Sequence, residues 1–483
     1  MSRLLLLVPF LLWMSYRPLD AWRRIDTSPA LIFLAGFVML VGVMGLWSRR
    51  VARQVLSSDL NRFVKRFNWM MTAARASVPI WFGVGLFALG WGEFARELAG
   101  PVAGWADVLQ LPMVLIGVSP ALLAWSALWW AQYPAERAMR EQSIVFQIED
   151  GVPVHGSPRF RDYFWSQVRL QLLFTLVPVL LILLARDVIS IILTVARITL
   201  EQRELFEGFA TLGASAIVFL FAPEILRRVL QTQPLPAGQL RTRLEKMCVK
   251  AGLKYRDILL WRTDNNMGNA AVMGLLPRVR YVLLSDLLIE SMTDEQIEAV
   301  FAHELGHILH KHMAWYVVFF IALMCGGYVF ESLVDHWLPS LMQRDLLVLA
   351  VGAGAFVTCF SFLSRRFERQ ADVYAARTIE MARHVPPVLL TMLKPDASYV
   401  GRYGAGVFVS ALHRVAVINN IPIAARNLTH GSIQSRVEAL SAMSTDPSQT
   451  TNFDRLMARL YVTLLCLACM FAAWTMTSIV SHS

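Results

Sequence analysis

Charged residues are scarce in this sequence. Asp, Glu, Lys and Arg make up 17% of the 483 residues, whereas they make up about 25% of a typical soluble domain. Apolar residues make up 56%, and the mean hydropathy is +0.49. This composition excludes an ordinary soluble globular protein and indicates a membrane protein with several spans.

Cysteine is also scarce, with five residues in all. One CxxC spacing occurs, Cys466 and Cys469, and it lies in an apolar run with no second pair nearby. This pattern argues against a disulfide framework and against a zinc site made of cysteines. We interpret the cysteines as small apolar core residues.

The net charge of +10 does not indicate nucleic-acid binding, because no basic domain is clustered in the sequence. The Lys and Arg residues instead flank apolar runs, as the positive-inside rule expects of a membrane protein. We therefore expect a lipid bilayer as a partner and no nucleic acid.

Long apolar windows predict about eight transmembrane helices, with a range of seven to nine. The windows are 30–48, 76–97, 108–131, 168–186, 207–224, 314–337, 344–364 and 457–480. A further apolar stretch at 188–198 is separated from its neighbour by Ala185, Arg186 and Asp187, which predicts an interfacial helix or a re-entrant segment there.

Basic residues concentrate in the connections 49–75, 132–167 and 225–256, which alternation across the spans places on one side of the membrane. The positive-inside rule makes that side the cytoplasm. We predict an N-terminal transmembrane region at 1–225, a cytoplasmic domain at 226–456 that is interrupted by a transmembrane hairpin at 314–364, and a C-terminal transmembrane helix at 457–483.

The stretch AVFAHELGHILHKH, residues 299–312, contains the pattern HExxH. On a helix, His303 and His307 share one face and can bind the same metal ion. Glu304 lies beside them, where it can take a proton from a bound water. The pattern also arises by chance, but two ionisable residues on an otherwise apolar stripe favour a site.

A catalytic zinc needs a third protein ligand. The metzincin arrangement fails, because positions 309 and 313 are Leu and Met. His310 remains an alternative, although a helix carries it past a metal held by the first two histidines. The other candidate is Glu368, with Asp372 one turn later to hydrogen-bond a ligand histidine. A hairpin of two spans returns Glu368 to the membrane face of His307.

The motifs AVFAHELGHILHKH and SRRFERQADVYAAR, separated by a membrane hairpin, resemble the family of integral-membrane zinc metallopeptidases. This HELGH…ExxxD family includes the type I CAAX prenyl endopeptidase and the protease HtpX. NNMGNAAVMGLLPRVRYVLLSDLLI is similar to its Asn-Ala-x-x-x-Gly element, and LTHGSIQSRVEAL to its later His…Arg element. The resemblance extends over about residues 240–440.

The resemblance implies a zincin-like α+β catalytic domain with a small β-sheet and one zinc ion per chain. It implies His303, His307 and Glu368 as zinc ligands and Glu304 as the general base. It also implies a substrate-binding edge strand with Asn269, Ala270 and Gly274, an oxyanion contact from His430, and Arg436 as a buried structural or substrate-contacting residue. The family usually has Pro after that His, whereas this chain has Gly431.

The expected protein is thus mainly α-helical, and its expected activity is zinc-dependent endoproteolysis in the membrane. The expected substrates are extended peptide segments of membrane-associated proteins, in CAAX-type processing or in quality control. A catalytically silent relative that binds or chaperones membrane proteins is the alternative, and loss of Glu304 or of a ligand would favour it. A transporter is less favoured, because the charges cluster at span ends and in the HExxH helix.

Overall fold

The computed structural model describes residues 5–16, 27–54, 60–100, 109–149, 156–196, 200–338, 344–384, 399–419, 421–425 and 429–482. The chain forms two compact units. The first comprises residues 1–233 and 261–266, and the second comprises residues 234–260 and 267–483. The division into 1–225, 226–456 and 457–483 stays a prediction.

Helices make up the first unit. In chain order they are α1 (Val8–Ser15), α2 (Thr27–Gln54), α3 (Leu60–Ala88), α4 (Trp91–Ala99), α5 (Gln110–Glu149), α6 (Phe160–Gln167), α7 (Phe174–Val195) and α8 (Leu200–Val229). A π-helical turn, Val168–Leu173, connects α6 to α7. Large aromatic side chains fill the core, among them Phe33, Phe82, Trp125 and Trp129.

One prediction about this unit is wrong. Asp187 does not interrupt a span, because α7 runs through it from Phe174 to Val195. Its carboxylate is buried and accepts hydrogen bonds from the backbone N–H groups of Gln110 and Leu111, both at 2.9 Å. It therefore caps the first turn of α5. These two hydrogen bonds stabilise the buried charge, which the sequence pattern alone indicates as an interruption of the span.

The second unit combines a small sheet with helices. Strand β1 (Thr232–Pro234) begins in the last two residues of the first segment of the first unit, and Pro234 is the first residue of the second unit. The remaining elements are α9 (Gln239–Lys250), β2 (Asp257–Trp261), β3 (Ala270–Met273), β4 (Tyr281–Ser285), α10 (Asp286–Ser291), α11 (Asp294–Leu309), α12 (His312–Trp337), α13 (Arg344–His384), α14 (Arg402–Ile418), α15 (Ile433–Thr445) and α16 (Pro447–His482). The sheet order is β1-β2-β4-β3, which places β3 at an edge. The predicted fold class, mainly helical with a small sheet, is confirmed.

Seven helices among the described residues are long and apolar enough to cross a membrane, which confirms the predicted range. The segments are Pro29–Gln54, Arg66–Ala88, Gln110–Gln142, Phe160–Val195, Phe206–Val229, His312–Trp337 and Pro447–Thr477. The remaining predicted window, 344–364, forms the first half of α13. The chain is therefore a multi-pass membrane protein.

Candidate metal centre

Helix α11 carries the HExxH residues and begins at a capping box. The Gln296 backbone N–H donates to the Thr293 hydroxyl, and the Thr293 backbone N–H donates to the Gln296 side chain. These reciprocal bonds satisfy two N–H groups that a helix start leaves free. With the start of α11 fixed in this way, His303 and His307 lie one turn apart on the same face.

Gly306 allows α13 to approach this face of α11. A Cβ atom at position 306 would lie only 3.0 Å from the Cα of Ala371. Ala371 is flanked on α13 by the two predicted acidic residues, Glu368 and Asp372. The close approach of the two backbones therefore places these carboxylates next to the histidines, although Glu368 follows His307 by 61 residues in the sequence.

The three predicted ligands form a compact group. Nε2 of His303 lies 3.2 Å from Nε2 of His307, and each of these atoms lies 3.6 Å from a carboxylate oxygen of Glu368. Tetrahedral zinc with bonds of about 2.1 Å separates its ligand atoms by about 3.4 Å. These side chains therefore fit a zinc ion and can hold a metal together.

A buried ion pair supports the first histidine. Oδ1 of Asp372 lies 3.0 Å from Nδ1 of His303, the nitrogen that faces away from the ligand group. Arg436 donates to both oxygens of Asp372, with 2.9 Å for the bond from Nε, and its NH1 lies 3.6 Å from Glu368. Burial alone would raise the pKa of Asp372, but Arg436 and His303 lower it. Asp372 therefore stays ionised and orients the His303 ring.

The local charges favour the metal-binding forms of two ligands. Burial and the neighbouring His303 lower the pKa of His307 to about 3, so its ring is neutral at pH 7. Burial would raise the pKa of Glu368, but the hydrogen bond from His430 and the charges of His303 and Arg436 hold it well below its usual range. A neutral imidazole and an ionised carboxylate are the forms that bind zinc.

Glu304 lies next to the ligands and is half-buried. Burial raises the pKa of its carboxyl to about 7. A divalent cation held by the neighbouring ligands would lower this pKa, because a positive charge favours the ionised form. The residue is therefore suited to accept a proton near neutral pH.

His430 lies on the open side of the ligand group. Its side chain is 58% exposed, and its Nδ1 lies 2.8 Å from Oε1 of Glu368. The next residue, Gly431, has φ of +72°. Proline cannot adopt this angle, because its ring fixes φ near −65°. The departure from the family pattern at position 431 therefore gives the loop a conformation that the usual Pro would not allow.

The predicted substrate-binding stretch coincides with β3, the edge strand. Ser285 N–H donates to the carbonyl of Asn269, and Asn269 N–H donates to the Ser285 hydroxyl. Bonded and non-bonded pairs alternate along an antiparallel ladder, so Ala270 and Val272, opposite Leu284 and Val282, direct their backbone groups away from β4. The open edge of the sheet therefore presents backbone groups for pairing.

Gly274 ends this strand in a conformation that requires glycine. Its φ is +100°, and a Cβ there would lie 2.1 Å from the carbonyl oxygen of Val279. The residue thus shapes the turn toward β4, and its contact with substrate stays a prediction.

Sequence reasoning missed three residues near the ligands. His312 lies beside His307, and Gln370 and Tyr461 continue a chain of hydrogen bonds from it. An ionisable residue at the start of a span was the available signal for His312. His310, the alternative ligand, has its Nδ1 2.8 Å from the carbonyl oxygen of Gly306, within its own helix.

Comparison with known proteins confirms the resemblance. Residues 234–444 match the model of Peptidase family M48. A "CAAX prenyl protease 1 homolog" of Arabidopsis thaliana is 29% identical over 180 residues, which are 34% of this chain and 42% of that protein. A "Protease HtpX homolog" of Bacteroides fragilis is 28% identical over 218 residues, which are 41% of this chain and 66% of that protein.

The chain therefore spans less than half the length of the plant relative and about two thirds of the bacterial one. Among solved structures, that of S. mikatae Ste24p covers 88% of this chain and 100% of its own, with a TM-score of 0.40 and 15% identity. The matched family segment contains His303, Glu304, His307, Glu368, Asp372, His430 and Arg436.

Proposed function

We propose that this chain is a membrane-embedded zinc endopeptidase that cuts extended peptide segments of membrane-associated proteins. The observation that carries the proposal is the spacing of the His303, His307 and Glu368 ligand atoms, which matches tetrahedral zinc, with Glu304 beside them. The match to a peptidase family over the same residues supports it. We propose one zinc ion per chain, held by these three side chains.

A bound zinc ion would supply Lewis acidity toward the scissile carbonyl and would lower the pKa of a water molecule. Glu304 takes the proton of that water and passes it to the leaving amine. His430, exposed at the open side of the site, donates to the oxygen on which negative charge develops. Asp372 and Arg436 hold the ligand ring of His303, and Arg436 also lies 3.6 Å from Glu368, so it acts on the site through both carboxylates.

The substrate backbone would pair with the open edge of β3. Ala270 and Val272 offer N–H and C=O groups there, and strand addition gives affinity without a demand on side-chain sequence. β3 belongs to the same unit as the ligand helices. An enzyme that holds its substrate in this way accepts many sequences, as both processing and quality control of membrane proteins require.

The ligand helices would face the cytoplasm. The support for this is the sequence: alternation across the predicted spans puts their connections on the side of the basic segments 49–75 and 132–167, and the positive-inside rule assigns that side to the cytoplasm. A catalytically silent relative is the weaker proposal, because all three ligands are present and grouped and Glu304 is present next to His303.

The test is a cleavage assay on the purified full-length protein. Zinc added to the chelator-treated protein should restore cleavage of an unstructured peptide. Glu304→Gln keeps the shape of the side chain but cannot accept a proton, so it should retain zinc and lose activity by about 10³-fold or more. Cleavage by this variant at near wild-type rates, or zinc-free activity of the wild type, would refute the proposal.

A further inference from the structure

A second histidine ring lies directly behind the ligand His307. His312 is buried, with 2% of its surface exposed, at the start of the apolar helix α12. Its ring stacks on Phe367 at a centroid distance of 4.3 Å with an interplanar angle of 1°. A buried imidazole in an apolar setting needs hydrogen-bond partners, since a polar group without them destabilises the fold.

The partners of His312 form a continuous chain. Its Nδ1 lies 2.8 Å from Nδ1 of His307, and its Nε2 lies 2.9 Å from Oε1 of Gln370. The hydroxyl of Tyr461 donates to the same Oε1 at 2.6 Å. These contacts connect the ligand on α11 to residues on α12, α13 and α16, all within the second unit.

With His312 neutral and Oε1 of Gln370 facing its Nε2, the contacts define one arrangement of protons along the chain. Oε1 of Gln370 only accepts, so Nε2 of His312 must donate to it and its Nδ1 must accept. Nδ1 of His307 must therefore carry a proton and donate. That tautomer leaves Nε2 of His307 unprotonated, and Nε2 is the atom that lies 3.6 Å from Glu368 in the ligand group.

We propose that His312, Gln370 and Tyr461 are positioning residues that hold the His307 ring in the tautomer and orientation that a metal ligand requires. We call these three side chains the neutral relay. The inference rests on the metal site proposed above. In this arrangement His307 has an uncharged hydrogen-bond partner, His312, whereas His303 faces the carboxylate of Asp372.

The relay also gives the last helix a function. Tyr461 lies in α16, which the resemblance does not account for, and its ring stacks on Trp315 at 4.4 Å. The stack holds the phenol ring where its hydroxyl reaches Gln370. The C-terminal span thus supports the metal centre through a single hydroxyl group.

The experiment measures zinc affinity in the detergent-purified full-length protein by competition with a chromogenic chelator. Four variants are compared. His312→Leu removes the acceptor, His312→Gln offers an amide oxygen and an amide N–H in its place, and Tyr461→Phe removes only the hydroxyl. Tyr316→Phe is the matched control, because it removes a hydroxyl that donates to Ser364 at 3.0 Å in the same region.

Loss of a partner behind a ligand histidine weakens metal binding by about 10- to 100-fold. We expect a loss in this range for His312→Leu, a smaller loss for Tyr461→Phe, and recovery in His312→Gln. Tyr316→Phe should bind zinc as the wild type does. In the cobalt-substituted protein, Tyr461→Phe should shift the visible d–d bands, because the ligand ring turns, whereas Tyr316→Phe should leave them unchanged.

The outcomes distinguish failure of the metal site from failure of the relay. If the wild type binds no zinc, the metal site itself is refuted. If the wild type binds zinc and Tyr461→Phe matches the control in affinity and in cobalt spectrum while His312→Leu fails to fold, the relay is refuted as a positioning device. Unaltered affinity in a folded His312→Leu protein refutes it as well.

Discussion

Replacing Arg436 by methionine should destabilise the metal-free protein strongly. The guanidinium is mostly buried, at 14% exposure, and it contacts both Asp372 and Glu368. Methionine fills a similar volume but leaves two buried carboxylates without their cation. Removal of one partner from a buried ion pair costs about 3–5 kcal/mol, because the remaining charge stays desolvated.

This loss should appear as a lower melting temperature of the second unit. For 150–250 residues, 1 kcal/mol corresponds to about 2–4 °C, so Arg436→Met should lower Tm by about 6–20 °C. Differential scanning fluorimetry on the chelator-treated, detergent-purified protein gives the measurement. Arg436→Lys keeps the charge without the two-pronged geometry and should fall between the wild type and Arg436→Met.

A double-mutant cycle assigns the loss to the pair. Asp372→Asn in the Arg436→Met background removes one of the unpaired charges, so the double variant should lose less stability than the sum of the two single variants, by about 1–3 kcal/mol. Arg436 lowers the pKa of Asp372, so the pair stabilises the fold above the unfolded-state pKa of about 3.9. The difference between wild type and Arg436→Met should therefore shrink as the pH falls through the lower folded-state pKa. A Tm for Arg436→Met within about 2 °C of the wild type, less than about 1 kcal/mol, would refute the reasoning.

Three further predictions concern the ligand, the edge strand and the topology. Glu368→Ala leaves two histidines, which hold zinc poorly, so elemental analysis should show loss of metal; full retention would contradict the ligand assignment. Val272→Pro removes an outward N–H and should raise KM with zinc and folding intact, whereas Ala271→Pro removes a bond of the β3–β4 ladder and should destabilise the sheet; normal cleavage by Val272→Pro would exclude strand pairing there. In a cysteine-free background, a Cys at position 340, outside the described residues, should react with an impermeant thiol reagent from outside, and Ser435→Cys should not; labelling of both from one face would contradict the two-span hairpin.

The sequence was informative where chemistry depends on local spacing. His303 and His307 follow from helical periodicity, and Glu368 follows from the return of the chain after two spans. The structure brings these residues within ligand distance of one another. The sequence also places Asp372 one turn after Glu368, and its contact with His303 follows from that spacing.

Contacts between distant residues could not be predicted in the same way. Gln370 is 58 residues from His312 and 91 from Tyr461, and no periodic pattern pairs them. Asp187 is a similar case, because its partners at the start of α5 lie 76 and 77 residues away. His312 and Asp187 are both polar side chains in apolar helices, and each finds its hydrogen-bond partner on another helix. Only the packing of the helices shows which helix that is.

The short connection between the ligand helix and the membrane sets a reach for the enzyme. The span that begins at His312 starts five residues after His307. The two helices are joined by a turn at His310 and Lys311, where Lys311 has φ of +55°, and the His307 ring contacts the His312 ring at the start of the span. In the proposed peptidase, the metal centre would therefore sit beside the beginning of a membrane span. A substrate anchored in the same membrane would then offer for cleavage the peptide bonds near the point where its chain leaves the lipid.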